Sequence, residues 1–300
     1  MIEISEAQVL EHLSIPVAIR LMKKAFLQLA DGTAINHPRR RVVLPTGSIL
    51  HYMPAGNNEY FGIKSYSTNP KSGAHFTFLL YRSADGMPLA IVEANRLGQI
   101  RTGAASGLAT DLLARKNATK VGIVGSGYQA ETQVHSIASV RALTEIRVWS
   151  RSAEKRAAFA AKFPGMPVRA VETAREAVEG MDIVVTATSS KDPVLESDWI
   201  APGTHINAMG SNWANKRELP GDLVLRANLV VVDALDAGRL ESGDLLLAPL
   251  PEERWTELKQ IVAGTVNRSD DDQITIFKSN GLAIEDVVAA GYVFEKVIPA

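Results

Sequence analysis

The sequence predicts an α/β chain of two domains, an α+β domain followed by an open, largely parallel sheet with crossover helices. Three observations lead there. Short alternating or apolar runs separated by Gly, Pro and Asn fill residues 41–93, strands and helices alternate after Lys120, and 300 residues suffice for two cores.

Ser5 followed by Gln8 reads as a capping box. Val9, Leu10, Leu13, Ile19, Met22, Phe26 and Leu29 then recur at helical spacing up to Asp31-Gly32, giving one or two amphipathic helices. Val42–Leu44, Ile49–Met53, Phe61–Tyr66, Phe76–Tyr81 and Leu89–Val92 read as strands of a mostly antiparallel sheet, with Ala84-Asp85-Gly86-Met87 as a hairpin turn. Gln99–Lys116 is a helix of small residues. Beyond it, Val121–Val124, Glu145–Trp149, Ile183–Ala187, His205–Ala208 and Leu229–Val232 are strands, with Tyr128–Ser139 and Ala153–Lys162 among the intervening helices. After Ile274–Phe277 a last helix, Ala283–Val297, begins near Glu285-Asp286, acidic residues that suit a helix start. The expected domains are residues 1–115 with 281–300, and residues 116–280.

Composition excludes several classes. A formal net charge of -1 with scattered signs gives no continuous basic face, so neither nucleic acid nor an anionic membrane is an expected partner. Zero cysteines exclude a disulfide, a thiolate zinc site and a cysteine nucleophile. No His-x-x-x-His pair or Asp/His cluster suggests a metal, and no Gly-x-Ser-x-Gly elbow suggests hydrolysis. The start Met1-Ile2-Glu3-Ile4-Ser5-Glu6 is no signal peptide, and no run approaches the roughly 18 to 20 apolar residues of a membrane span. The expected location is the cytoplasm.

The strand Val121-Gly122-Ile123-Val124 runs into Gly125-Ser126-Gly127-Tyr128-Gln129-Ala130 and then a helix, the setting in which Gly-x-Gly-x-x-Ala binds a dinucleotide. Gly125 permits the tight turn, Gly127 lets backbone approach a pyrophosphate, and Ala130 keeps helix and strand close. This makes the parallel half a Rossmann-type domain. The next strand ends Trp149-Ser150-Arg151-Ser152, with no acidic residue for ribose hydroxyls. Two hydroxyls flanking a guanidinium suit a 2′-phosphate, so NADP(H) is preferred and NAD(H) possible.

In the other domain Arg40 after Pro38, Lys64 in Gly62-Ile63-Lys64-Ser65, and Arg101 in Ile100-Arg101-Thr102-Gly103 are cations that packing does not demand. Lys64 stands inside an apolar strand, where it is either buried with an anion such as a substrate carboxylate or reaches water at an edge. His75 and His51 are the histidines to inspect next, and His75 joins the candidate substrate-binding set.

These segments resemble the ornithine cyclodeaminase and mu-crystallin family. The likeness rests on Gly62-Ile63-Lys64, Ile100 to Ser106, Gly125 to Ala130, Gly203 to Gly210, Glu241-Ser242-Gly243-Asp244, Phe277 to Gly281 and Ile284-Glu285-Asp286, in the family's order along nearly the whole chain. The resemblance implies a homodimer whose first domain supplies the substrate pocket and the dimer contact, with the last helix returning to it. It implies carboxylate binding by Arg40, Lys64 and Arg101, the choice of Arg40 over the adjacent Arg39 or Arg41 resting on a Pro-x-Arg spacing. It places Thr102, Ala187, Thr188, Asn207, Met209 and Asp233 near the dinucleotide. Ornithine cyclodeaminases carry an aspartate two residues beyond Gly210, where this sequence has Asn212, which cannot take up a proton or pair with a second ammonium.

The expected activity is therefore NAD(P)H-dependent reduction of a small α-imino acid to an amino acid, on cyclic imines such as 1-pyrroline-2-carboxylate or 1-piperideine-2-carboxylate or on an acyclic ketimine. Arg40, Lys64 and Arg101 orient the carboxylate, Lys64 is the candidate proton donor, and Asn212 lies on the substrate side. The alternatives are a cyclodeaminase, an alanine-type dehydrogenase and a non-catalytic NADP-dependent binding protein. Ammonia release without net NADPH change would mark the first; a cationic pocket speaks against the last.

Overall fold

The computed structural model describes residues 1–298; residues 299 and 300, assigned above to the first domain, lie outside the described residues. The chain forms two compact units, Met1–Thr102 with the segment from Gly281 onward, and Gly103–Asn280.

In the first unit β1 (Ile2–Ile4) leads into α1 (Glu6–His12), where the reciprocal Ser5–Gln8 capping box forms as the sequence predicts. Next come α2 (Ile15–Ala30), β2 (Ala34–Asn36), β3 (Arg40–Val43), β4 (Ile49–Asn57), β5 (Tyr60–Asn69), β6 (Gly73–Arg82), β7 (Pro88–Glu93) and α3 (Asn95–Leu113). The sheet order is β1-β7-β6-β5-β4-β2, with β3 also paired to β4, and every pair except β1·β7 is antiparallel. Strand alternation fixes what faces inward: His51, Met53 and Ala55 from β4, Gly62, Lys64 and Tyr66 from β5, Phe78 and Leu80 from β6. That face is covered by the unit's last helix, whose residues from Ala283 to Ala290 are all buried.

The second unit continues with β8 (Lys120–Val124), α4 (Tyr128–Ala138), β9 (Glu145–Trp149), α5 (Ala153–Ala160), β10 (Val168–Ala170), α6 (Ala174–Val178), β11 (Ile183–Thr186), β12 (His205–Ala208) and α7 (Gly221–Arg226). It ends with β13 (Leu229–Val232), α8 (Leu235–Glu241), α9 (Gly243–Leu246), β14 (Trp255–Glu257), α10 (Leu258–Val262) and β15 (Thr275–Lys278), after which the chain passes to α11 (Ala283–Val297) of the first unit. All its pairings are parallel, in the order β10-β9-β8-β11-β12-β15-β13-β14. Both faces are apolar because helices cover both: Ile183 and Val185 join one core cluster, and Val184 between them joins the other. The order reverses direction between β8 and β11, and in such sheets the crevice beyond the carboxyl ends at that point binds ligands. Among the described residues no helix is long and apolar enough to cross a membrane.

Candidate functional site

Two groups of side chains have the makings of a site, one in each unit. In the first, Lys64 is 3% exposed and its Nζ donates to Asp286 Oδ1 at 2.8 Å. Arg101 donates from Nε to the same oxygen at 3.2 Å and from Nη1 to Glu285 Oε2 at 2.7 Å. Arg39 is buried and its Nη2 donates to the Gly281 carbonyl at 3.4 Å. Two glycines make room for these head groups. A Cβ on Gly98 of α3 would stand 2.8 Å from Lys64 Nζ, and one on Gly281, where φ is 80°, would stand 2.5 Å from Arg101 Nη1.

The electrostatics follow from burial. Desolvation is the largest influence on Lys64, pulling its pKa down to about 8; Asp286 opposes that, while Arg101 and Arg39 reinforce it. Arg101 stays firmly charged because both carboxylates outweigh its burial. His51 stacks on Tyr66 with centroids 4.2 Å apart, and burial plus the charges of Arg41 and Arg39 hold it neutral, with a pKa near 4. Tyr66 stacks in turn on Phe76, and Lys64 Nζ lies 5.7 Å from the Phe76 ring.

In the second unit a cavity of about 560 Å³ opens at the switch between β8 and β11. Gly125, Ser126 and Gly127 line it, with Ser150, Arg151, Ser152 and Lys155 after β9 and Ala187, Thr188 and Val194 after β11. Gly125 has φ 115°, and a Cβ there would collide with the Ala187 carbonyl. Gly127 caps α4 with no side-chain hydrogen bond, and a Cβ on it would meet nothing, so the backbone at the helix start is open to a ligand's approach. Ser150 joins the two turns, its hydroxyl accepting from Ser126 Oγ at 2.8 Å and donating to the Ser152 carbonyl at 3.2 Å. The glycine cradle fits the pyrophosphate of a dinucleotide.

A sequence profile of the ornithine cyclodeaminase/mu-crystallin family matches residues 2–299. The chain belongs to that family. It is 41% identical over 224 residues to a delta(1)-pyrroline-2-carboxylate reductase of Bacillus cereus, covering 71% of this chain and 68% of the relative. To the ketimine reductase mu-crystallin of Rattus norvegicus it is 33% identical over 232 residues, 77% of this chain and 72% of that one. The solved Thermococcus litoralis delta(1)-pyrroline-2-carboxylate reductase, in complex with NADH and L-proline, superposes with a TM-score of 0.94 at 34% identity, over 99% of this chain and 97% of that one.

Within this family member, Lys64 and Arg101 come together on Asp286, but Arg40 does not join them. Arg40 is exposed on β3, and the arginine beside Lys64 and Arg101 is Arg39, one residue earlier, because alternation turns Arg39 and Arg41 inward and Arg40 outward. His75 also leaves the set. It pairs with Ser67, while Lys64 pairs with Phe78, an odd offset that puts His75 on the opposite, exposed face of the sheet. Asn212 and Trp213 follow β12 in the second unit, both half-buried, with Lys216 over the Trp213 ring.

Of the expected dinucleotide residues, Gly125, Ser126, Gly127, Ser150, Arg151, Ser152, Ala187 and Thr188 line the cavity. Tyr128 and Gln129 form the first turn of α4, and Ala130 is wholly buried under it. The side chain of Asn207 is engaged in the core, donating to Thr110 Oγ1 at 2.9 Å, and Met209 packs in the apolar core. Asp233 accepts from Asn280 N at 2.6 Å, and Thr102 donates its hydroxyl to the Gly98 carbonyl within α3. Arg39 is one of the two alternatives the register left open beside Arg40; sequence reasoning missed Lys155 and the inward role of Glu285 and Asp286. Glu285 and Asp286 suit a helix start in sequence, and only their fully buried state reveals them as counter-charges.

Proposed function

We propose that the chain is an NAD(P)H-dependent reductase of small α-imino acids, forming α-amino acids. The observation that carries this reading is the buried cluster of Arg39, Lys64 and Arg101. Three cations stand with two carboxylates, Glu285 and Asp286, so these five groups keep one positive charge, suited to one substrate carboxylate. The substrate of the Bacillus cereus relative and the proline held by the Thermococcus litoralis enzyme support the same chemical class. A dinucleotide held at Gly125, Ser126 and Gly127 would supply the hydride for the imine carbon. Arg39 and Arg101 fix the carboxylate with their forked donors, so that orientation contributes much of the rate. Lys64, with a pKa near 8, is placed to give a proton to the developing amine nitrogen, and Asp286 holds its ammonium in position.

For the dinucleotide the reading is NADP(H) in preference to NAD(H). Arg151 and Lys155 line the cavity where β9 ends and no carboxylate stands at that strand end; Glu196 enters from the loop after β11. Asn212, where cyclodeaminases have an aspartate, argues against cyclodeamination. A homodimer, supported by Leu50 and Phe61, large apolar side chains exposed on the outward face of the first sheet, and a cytoplasmic location complete the reading.

The test is purified protein with NADPH and a panel of cyclic and acyclic α-imino acids, following loss of the reduced-nicotinamide absorbance. Rapid oxidation with an imino acid supports the reading. Inertness across the panel, with ammonia released from ornithine or lysine, overturns it in favour of a cyclodeaminase.

A further inference from the structure

We propose that Glu218 is a positioning residue for dinucleotide binding, its buried carboxylate clamping the ends of β11 and β12 so that the loop after β11 keeps the cavity in shape. The inference rests on reading that cavity as the dinucleotide site.

Glu218 lies between β12 and α7 and is wholly buried. Its Oε1 accepts from Thr188 N at 2.6 Å, and its Oε2 accepts from Gly210 N at 2.7 Å and from Thr186 Oγ1 at 2.9 Å. Its own backbone carbonyl accepts from Val194 N at 2.8 Å. One residue thus holds Thr188 and Val194 near the two ends of the cavity-lining stretch 187–195, and ties the first of them to Gly210 on the neighbouring strand end.

The clamp is itself anchored. Glu218 N and Leu219 N donate to Asp244 Oδ1 at 2.6 and 2.9 Å, Asp244 Oδ2 pairs with Lys278 Nζ at 3.0 Å, and Lys278 donates to the Ser211 carbonyl at 2.5 Å. A Cβ on Gly210 would collide with Glu218 Oε1 and the Thr188 carbonyl, so glycine there is what allows carboxylate and backbone to approach. Buried N–H groups left without an acceptor are costly, and the loop would move to find other partners. Such a carboxylate touches no substrate and acts only through the loop's geometry.

The decisive variants are Glu218→Gln and Glu218→Asp. The amide replaces one accepting oxygen with a donor facing the Thr188 or Gly210 N–H, whereas aspartate keeps the carboxyl group on a shorter reach. The measurements are the NADPH dissociation constant by nicotinamide fluorescence without imino acid, the KM for the imino acid, and the thermal midpoint. For Glu218→Gln the dissociation constant rises about tenfold or more while the imino-acid KM stays within about twofold. Glu218→Asp recovers part of the affinity. If the Gln variant is insoluble, Thr186→Val removes a single donor isosterically and weakens NADPH by about threefold. A folded Gln or Val variant with wild-type NADPH affinity overturns the clamp, as does an equal loss toward NADPH and imino acid. Failure of the wild-type protein to bind either dinucleotide overturns the cavity's assignment and the proposal with it.

Discussion

Lys64 and Asp286 are 222 residues apart in sequence and meet at 2.8 Å inside the first unit, on an oxygen that Arg101 also contacts. A β-strand lysine becomes tolerable in an apolar layer because the last helix brings the Asp286 carboxylate to it, while the neighbouring Glu285 pairs with Arg101. The pair also sets the protonation range of the lysine.

Charged Lys64 is the working form in this account, so kcat/KM for imine reduction falls as pH rises through about 8. Asp286 raises the Lys64 pKa against the dominant effect of burial, and Asp286→Asn therefore moves the descending limb to lower pH. Removing one partner of a buried pair also costs about 3–5 kcal/mol of stability, so the profile is taken well below the variant's unfolding midpoint. A limb that stays in place contradicts the assignment.

Gly98→Ala places a methyl 2.8 Å from Lys64 Nζ, the mobile end of a side chain, so the fold survives while the ammonium is displaced from its working position and keeps Asp286 as its partner. The expected result is a loss of about tenfold or more in kcat/KM with a stability change near 1 kcal/mol or less. Gly62→Ala differs, because its Cβ would strike the Leu79 carbonyl and the Phe78 ring in the sheet, and it destabilises by about 3 kcal/mol or more. Thermal unfolding and steady-state kinetics together separate the two.

Arg151→Ala raises the KM for NADPH by about tenfold, the loss expected for charge-assisted hydrogen bonds, and leaves the KM for NADH within about twofold. Lys155→Ala acts in the same direction, since it lines the same end of the cavity. Equal effects on both dinucleotides would remove the case for a 2′-phosphate contact.

His205 is wholly buried, bonded to Thr275 Oγ1 at 2.8 Å, and burial holds its pKa down to about 3. Its folded value lies below its unfolded value near 6.5, so stability is full above pH 6.5 and declines as pH falls toward about 3, by at most about 1.4 kcal/mol per pH unit. His205→Asn flattens that acid limb; a slope remains from His51, whose pKa is likewise lowered, to about 4. Unfolding midpoints across pH 3–7 check this.

The parallel half was legible because each central strand is an apolar run bounded by turn residues, and Gly125-Ser126-Gly127 sits at a strand end. The three-residue strands Ile2–Ile4, Ala34–Asn36, Val168–Ala170 and Trp255–Glu257 were not, being too short to show a period. Lys64 and Arg101 stood out as charges in apolar or small-residue surroundings. The run Arg39-Arg40-Arg41 carries no phase of its own, and only its pairing with β4 decides which arginines turn inward. His75 failed for the same reason of parity. Glu218 gave no local signal, because its donors arrive from Thr186, Thr188 and Gly210 on two strand ends.

The most direct test of the central claim is product analysis of 1-pyrroline-2-carboxylate incubated with NADPH and either the wild-type protein or Lys64→Ala. The expected result is proline formed in equal amount to NADPH oxidised by the wild type, and a rate lower by at least about a hundredfold in the folded variant. Undiminished turnover by Lys64→Ala, or no proline from the wild-type protein with any imino-acid concentration, would contradict it.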